Sequence, residues 1–293
     1  MSSLTKILSH DQLDTLELLL NGAFAPVDSY LNQADHLSVL NNKRLANGCV
    51  WPLPITLNLS PAEKLTAQIT KRITLVDHEQ RAVAELKLEE LYRLPPELAA
   101  VNAASPDTWY AAGQLEALNK RLHLAFNRSR YTTDRLRNEL ADKGWKNVVA
   151  VQANPSLDAA DMKQACEWLK QILEPQSQQG GLLIQLNANE QASDFHQQVR
   201  ALRASVRCSV VRQIKMSLLP QIAQQLSPES LLLLQALIAR NYGATGFVVG
   251  LQHSRSALRF VLQYRDELGI DLIPVKHRTA RQLAQTPPLA LAA

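Results

Sequence analysis

Three short stretches set polar side chains beside chain-breaking residues directly after apolar runs: Gln152-Ala153-Asn154-Pro155, Ser217-Leu218-Leu219-Pro220 and Gly250-Leu251-Gln252-His253. Each run reads as a buried strand, and ligands of open parallel sheets sit beyond the carboxyl ends of their strands. The amides of Gln152 and Asn154 are suited to donating to an oxyanion, with His253 and Arg255 supplying a further contact. The competing reading of Gln152 to Pro155 is a plain strand-to-helix turn, with Asp158 near the helix start. His253, for its part, could simply be a solvated loop residue. No GxGxxG, P-loop or GxSxG stretch occurs, so the common phosphate and nucleophile signatures are absent. The seven His are scattered without metal-ligand spacing, so no metal is expected.

Cations form two groups. Arg200, Arg203 and Arg207 recur at helical spacing, Arg212 and Lys215 follow on the next strand, and no acid occurs from Phe195 to Pro228. This stretch is expected to be a basic patch. A second group, Lys120, Arg121, Arg128, Arg130, Arg135 and Arg137, stands between the two halves of the chain. Such runs are solvated faces or anchors for a partner. Only Phe126 and Tyr131 lie near them, so stacking on single-stranded RNA is disfavoured.

The elements that must position these residues alternate in the second half. Asn147 to Gln152, Gly181 to Leu186, Ser209 to Leu218, Ala244 to Gly250 and Ile270 to Pro274 read as strands. Between and around them, Thr133 to about Gly144, Asp158 to Leu173, Ser193 to Arg207, Ser227 to Asn241 and Arg255 to Leu268 read as helices, with Thr133 and Ser227 as caps. Five strands joined by helices predict a parallel sheet covered on both faces. The first half reads as a small mixed domain around a barrel or sheet. Helices are expected at Asp11 to Asn21 and Gln33 to Asn41. Strand-like runs follow at Trp51 to Leu59, Leu65 to Ile69, Ile73 to Val76 and Ala82 to Leu88, with a hairpin turn at Asp77 to Gln80. Pro95 to Ser105 reads as a connection. The expected division is residues 1–125, 126–278 and a frayed tail, 279–293, with the boundary between about Leu118 and Thr132.

Asn21-Gly-Ala-Phe-Ala-Pro26, Tyr30-Leu-Asn-Gln-Ala-Asp35, Arg44-Leu-Ala-Asn-Gly48 and Trp51-Pro-Leu-Pro-Ile-Thr56 together resemble the PUA-like domain of the ATP sulfurylase (sulfate adenylyltransferase) family. Gly144-Trp145, Val148 to Gln152, Ser217 to Pro220, Asn241-Tyr-Gly243 and Gly250 are similar to its catalytic domain, in the same order. The resemblance implies a PUA-like domain followed by a Rossmann-like nucleotidyltransferase domain. It also implies a reaction in which sulfate attacks the α-phosphorus of ATP, giving adenylyl sulfate and pyrophosphate. The family's first signature is Gln-x-Arg-Asn-Pro-x-His-x-x-His, whose Gln and Arg hold sulfate and whose two His face the ATP phosphates. Here Gln152, Asn154 and Pro155 match, no Arg separates Gln152 from Asn154, and the His positions fall on Leu157 and Ala160. Asp158 and Asp161 add charge of the wrong sign. In the second signature, Gly-Arg-Asp-His-Ala-Gly, Gly250 and His253 remain while Leu251 and Gln252 replace Arg and Asp. The Arg after the Leu-Pro strand end falls near Gln224. Removing one preorganised donor from such a transition state costs about 2.7–4 kcal/mol, and here several are missing together.

The 293 residues are 46% apolar and 20% charged, with 31 Lys plus Arg against 27 Asp plus Glu, a net +4. That is a globular composition, neither collagenous nor disordered. Cys49, Cys166 and Cys208 form no CxxC pair, and an odd number argues against a disulfide framework. With no signal peptide or membrane span, the expected location is the cytoplasm. The expected function is that of a family homologue with a degenerate active site, an accessory or regulatory protein of sulfate activation that binds itself or a working enzyme. It would need no cofactor and hold at most a small anion or a weakly bound nucleotide. The alternatives are an active adenylyltransferase, which would use ATP, and a PUA-like RNA-binding protein.

Overall fold

The computed structural model describes residues 4–101, 105, 107–121, 123, 125–153, 180–207, 213–222, 226–249 and 253–274. The first half runs β1 (Leu4–Ile7), α1 (His10–Leu20), α2 (Gln33–Asn42), β2 (Leu57–Leu59), α3 (Pro61–Thr70), β3 (Arg72–Val76), β4 (Ala82–Tyr92), α4 (Pro96–Val101) and β5 (Trp109–Ala117). Its five strands form one sheet in the order β1-β3-β4-β5-β2, with β1 parallel to β3 and the other pairs antiparallel. Asp77 turns the β3–β4 hairpin, its carboxylate accepting from the amides of Glu79 and Arg81. Gly113 on β5 faces the bulge of β4, where a Cβ would lie 2.0 Å from the Lys87 carbonyl oxygen, so no larger residue fits.

Three expectations fail in this half, one of them in part: of the strand-like run Trp51 to Leu59 only Leu57–Leu59 is strand. Leu65 to Ile69 is not a strand but part of α3. Ser60 caps the Glu63 amide, the Glu63 carboxylate returns the bond to the Ser60 amide, and Pro61 starts the helix. That capping box outweighs the weak β-leaning of the run. Pro95 to Ser105 is not only a connection, since it contains α4.

The second half runs α5 (Thr133–Asp142), β6 (Asn147–Ala153), β7 (Gly180–Ala188), α6 (Phe195–Arg207), β8 (Ile214–Pro220), α7 (Pro228–Asn241), β9 (Gly246–Val249), α8 (Arg255–Leu262), α9 (Arg265–Leu268) and β10 (Asp271–Pro274). The five strands are all parallel, in the order β10-β9-β6-β7-β8. Their side chains alternate between two apolar layers. Leu182, Ile184 and Leu186 meet α6 through Phe195 and Val199, whereas Ala150, Leu183 and Leu219 join the layer of α5, α7 and α8. The α5 cap is Thr132, one residue before the expected Thr133. The expected helix from Arg255 to Leu268 is broken at Gln263 and Tyr264. The expected helix at Asp158 to Leu173 and the tail 279–293 lie outside the described residues. Among the described residues, no helix is long and apolar enough to cross a membrane.

One apolar cluster runs through both halves, from Leu13 and Leu16 to Leu219 and Tyr242. A polar joint crosses it. Asn241, 4% exposed, donates from Nδ2 to the carbonyls of Ala23 at 2.9 Å and Ala25 at 2.7 Å. The Tyr242 hydroxyl donates to the Tyr131 carbonyl at 3.0 Å and accepts from Asn21 Nδ2 at 3.2 Å. Thr133 donates twice to the Asn21 carbonyl, through its amide and its hydroxyl. Gly22, at φ 81°, leaves room for that hydroxyl, which a Cβ would approach to 2.6 Å. Further out, Arg44 grips Glu267 with both terminal nitrogens, at 2.6 and 2.9 Å.

Candidate functional site

The chain runs outward from β6 through β7 to β8, then returns to the other side of β6 as β9 and β10. The crevice at this reversal, at the carboxyl ends of the strands, is where doubly wound sheets take ligands. A cavity of about 290 Å³ lies there, lined by Gln152, Asn187, Gln235, His253 and Ser254 among apolar Leu231, Leu232 and Ala257. Gln152 and His253 therefore share one cavity. Asn154 lies outside the described residues, and Arg255 is an exposed first residue of α8 that does not line the cavity.

Gln152 is paired in register with Gln185 on β7, and Gln185 with Ser217 on β8. These three side chains form a polar row on the α7 face of the sheet, beside apolar Ala150, Leu183 and Leu219. Gln185 and Ser217 are fully buried. Gln152 Nε2, both side-chain polar atoms of Gln185, Asn187 Oδ1 and Ser217 Oγ have no hydrogen-bond partner among the described residues. Leaving one buried polar group unsatisfied costs about 1–3 kcal/mol, so so many in one layer mark a place shaped for something other than stability. Sequence reasoning missed Gln185, Asn187 and Gln235. The available signal was a glutamine inside the apolar run Gly181-Leu-Leu-Ile-Gln-Leu186.

The chemistry of this cavity is that of neutral donors and acceptors. No Lys, Arg, Asp or Glu occurs among its described lining residues. Burial pushes His253 below the ordinary imidazole value, which keeps the ring uncharged at neutral pH. Among the described residues, no three His, Cys, Asp or Glu side chains are grouped to hold a metal ion.

The expected basic patch is not continuous. Arg200 is exposed on α6. Arg203 instead bonds the Ser129 hydroxyl at 2.8 Å and lies over the Phe126 ring. Lys215 belongs to the opposite face of the sheet, with Ser217 and Leu219, where it pairs with Glu139 over the Tyr131 ring. The alternation of β8 separates it from α6. The Arg207 side chain and Arg212 lie outside what is described.

Another cluster joins the two halves; it takes in Arg121 and Arg130 of the second cation group and adds His123 and its carboxylate partners. His123 Nε2 lies 2.9 Å from Glu17 on α1, and its Nδ1 lies 3.1 Å from Glu190 after β7. Arg121 pairs with Asp14 and Glu17, and Arg130 pairs with Glu190. An imidazole facing a carboxylate through each nitrogen must carry both protons to donate to both. Burial works against that charge, but the bonds to Glu17 and Glu190 outweigh it, so the His123 pKa is raised. A raised folded-state pKa stabilises the fold fully below about pH 6.5 and loses its contribution as pH rises through the folded value. Stability should therefore fall as pH is raised from 6 to 9. His123→Ala should remove most of that pH dependence and cost about 1–3 kcal/mol at pH 6, read from denaturant midpoints. An unchanged pH profile would refute the assignment.

The fold and the crevice define a class: a PUA-like domain joined to a doubly wound α/β domain whose strand ends form the binding crevice. The family model described as PUA-like domain matches residues 2–120, and that described as ATP-sulfurylase matches residues 127–279. The chain belongs to the ATP-sulfurylase family. It is 29% identical to a sulfate adenylyltransferase of Yarrowia lipolytica, over 93% of this chain and 52% of that protein. It is also 29% identical to one of Schizosaccharomyces pombe, over 95% of this chain and 62% of that protein. Among solved structures, a hexameric APS kinase from Thiobacillus denitrificans aligns with a TM-score of 0.75 and 25% identity, over 94% of this chain and 52% of that one. The chain thus spans about half to three-fifths of the length of these relatives.

Proposed function

We propose that this chain is a non-catalytic member of its family, an accessory or regulatory protein of sulfate activation that works by associating with itself or with a functional enzyme. The observation that carries this reading is the absence of Lys, Arg, Asp and Glu among the described lining residues of the strand-end cavity. Joining sulfate to the α-phosphorus of ATP brings two anions into line, and catalysis of such transfers rests on positioning and cationic stabilisation. Gln152 remains to donate one hydrogen bond, while Leu157, Ala160 and Leu251 stand where the resemblance puts two His and an Arg. A triphosphate of charge about −4 then meets an amide row and a neutral imidazole. The reading is also supported by what is kept: Asn21, Gly22, Arg44, Asn241 and Tyr242 all belong to the joint or its flank. Self-association is supported by the hexameric description of the T. denitrificans relative.

Calorimetric titration with ATP, adenylyl sulfate and sulfate tests the binding side of this reading. The expected result is a small anion or a nucleotide held more weakly than about 1 μM, roughly −8 kcal/mol. ATP bound more tightly than that would mean that a substitute set of cations serves the site, and would favour an active adenylyltransferase.

A further inference from the structure

A second cavity, of about 510 Å³, lies where the two halves meet, between α1, the end of β5 and the segment from Asn127 to Arg135. That volume is in the range of small-molecule sites. Leu13 and Leu20 of α1 form an apolar wall, and Lys120, Arg121, Arg130 and Arg135 stand around it, with Glu17 the one carboxylate among its described lining residues. Glu17 is already engaged, by His123 through one oxygen and by Arg121 through the other.

The cations hold more donors than the neighbouring acids use. Arg121 meets Asp14 and Glu17 through Nη1 alone, and Arg130 meets Glu190 through Nη2 alone. The Arg130 side chain is 8% exposed, yet its Nε has no partner among the described residues. Lys120 and Arg135 have no carboxylate partner among the described residues, and the Arg135 guanidinium rests over the Tyr131 ring. Arg44 offers the comparison within the same molecule. There a guanidinium that joins the halves has both terminal nitrogens filled by Glu267, and its Nη1 also donates to the Gly48 carbonyl. A fork left half open beside an apolar wall is instead the arrangement that takes an oxyanion with an organic body, because planar guanidinium groups bind phosphate through paired donors.

We propose that the cleft between the two halves binds a small organic phosphate, its phosphate on Lys120, Arg121, Arg130 and Arg135 and its apolar body against Leu13 and Leu20. This site is separate from the strand-end cavity and does not depend on whether that cavity catalyses anything. A ligand seated here touches both α1 and α5, so it fastens the PUA-like half to the α/β half.

The test is calorimetric titration of the full chain with 1-naphthyl phosphate, inorganic phosphate and a single-stranded oligoribonucleotide. The expected result is saturable binding of 1-naphthyl phosphate, at least tenfold tighter than inorganic phosphate. The double variant Lys120→Ala/Arg135→Ala changes only rim residues and should weaken that binding at least tenfold while leaving the thermal midpoint of the unliganded protein unchanged. Gln152→Ala should leave it intact. The proposal is overturned if 1-naphthyl phosphate does not bind, if the double variant binds it as well as the parent, or if Gln152→Ala abolishes binding. It is equally overturned if the oligoribonucleotide binds more tightly through Lys120 and Arg135, which would make the rim a polyanion surface.

Discussion

Replacing Asn241 with Ala should lower the stability of the folded chain by about 1–3 kcal/mol. The side chain is buried and gives both amide hydrogens to the other half of the molecule, to the carbonyls of Ala23 and Ala25. Truncation strands the Ala23 carbonyl in a buried place, at about 1–3 kcal/mol for a group left unmet, while the carbonyl of exposed Ala25 can turn to water at a smaller cost. Arg240 Nη2, 3.5 Å from the Ala25 oxygen, recovers only part of the second bond. Asn241→Asp should do no better, since it sets an acceptor where two donors are needed. Arg255→Ala, on an exposed helix start, should stay within about 0.5 kcal/mol. Urea midpoints at constant slope make the comparison, and a loss below 1 kcal/mol for Asn241→Ala would contradict the joint as described.

That joint explains why the resemblance was so legible. Asn21-Gly22 and Asn241-Tyr242 lie 219 residues apart or more in sequence, yet meet across the interface, Asn21 on Tyr242 and Asn241 on Ala23. The residues that would handle phosphates face no such mutual demand, and here they differ from the family pattern.

The parallel sheet was readable because short apolar runs alternated with helical periods, and Ser227 announced α7 correctly. The α3 region was misread because Leu65 and Ile69 look like strand residues while pointing largely to solvent, at 59% and 80% exposure. β5 carries little signal of its own, because Tyr110-Ala-Ala-Gly113 lacks β-branched residues and α4 separates it from its antiparallel partner β4. Of the site, Gln152 and His253 were visible as strand-end residues. The polar row was not, because Gln185 and Ser217 gain their meaning only from the register of β6, β7 and β8. The His123 clasp is hidden for the same reason, as Glu17 comes from α1 and Glu190 from the segment after β7.

The central claim is the absence of adenylyl transfer, and the largest effect expected of this molecule is on that reaction. Losing a single preorganised donor lowers a rate by about 10²–10³. Such losses are not additive, but the His pair and the Arg before Asn154 are all absent from this sequence. The decisive measurement is pyrophosphate release by the purified protein from ATP, with and without sulfate. The account predicts release indistinguishable from the protein-free control in both cases, and no change on Gln152→Ala. Sulfate-dependent release above that control, lost on Gln152→Ala, would contradict it and make this chain a working sulfate adenylyltransferase.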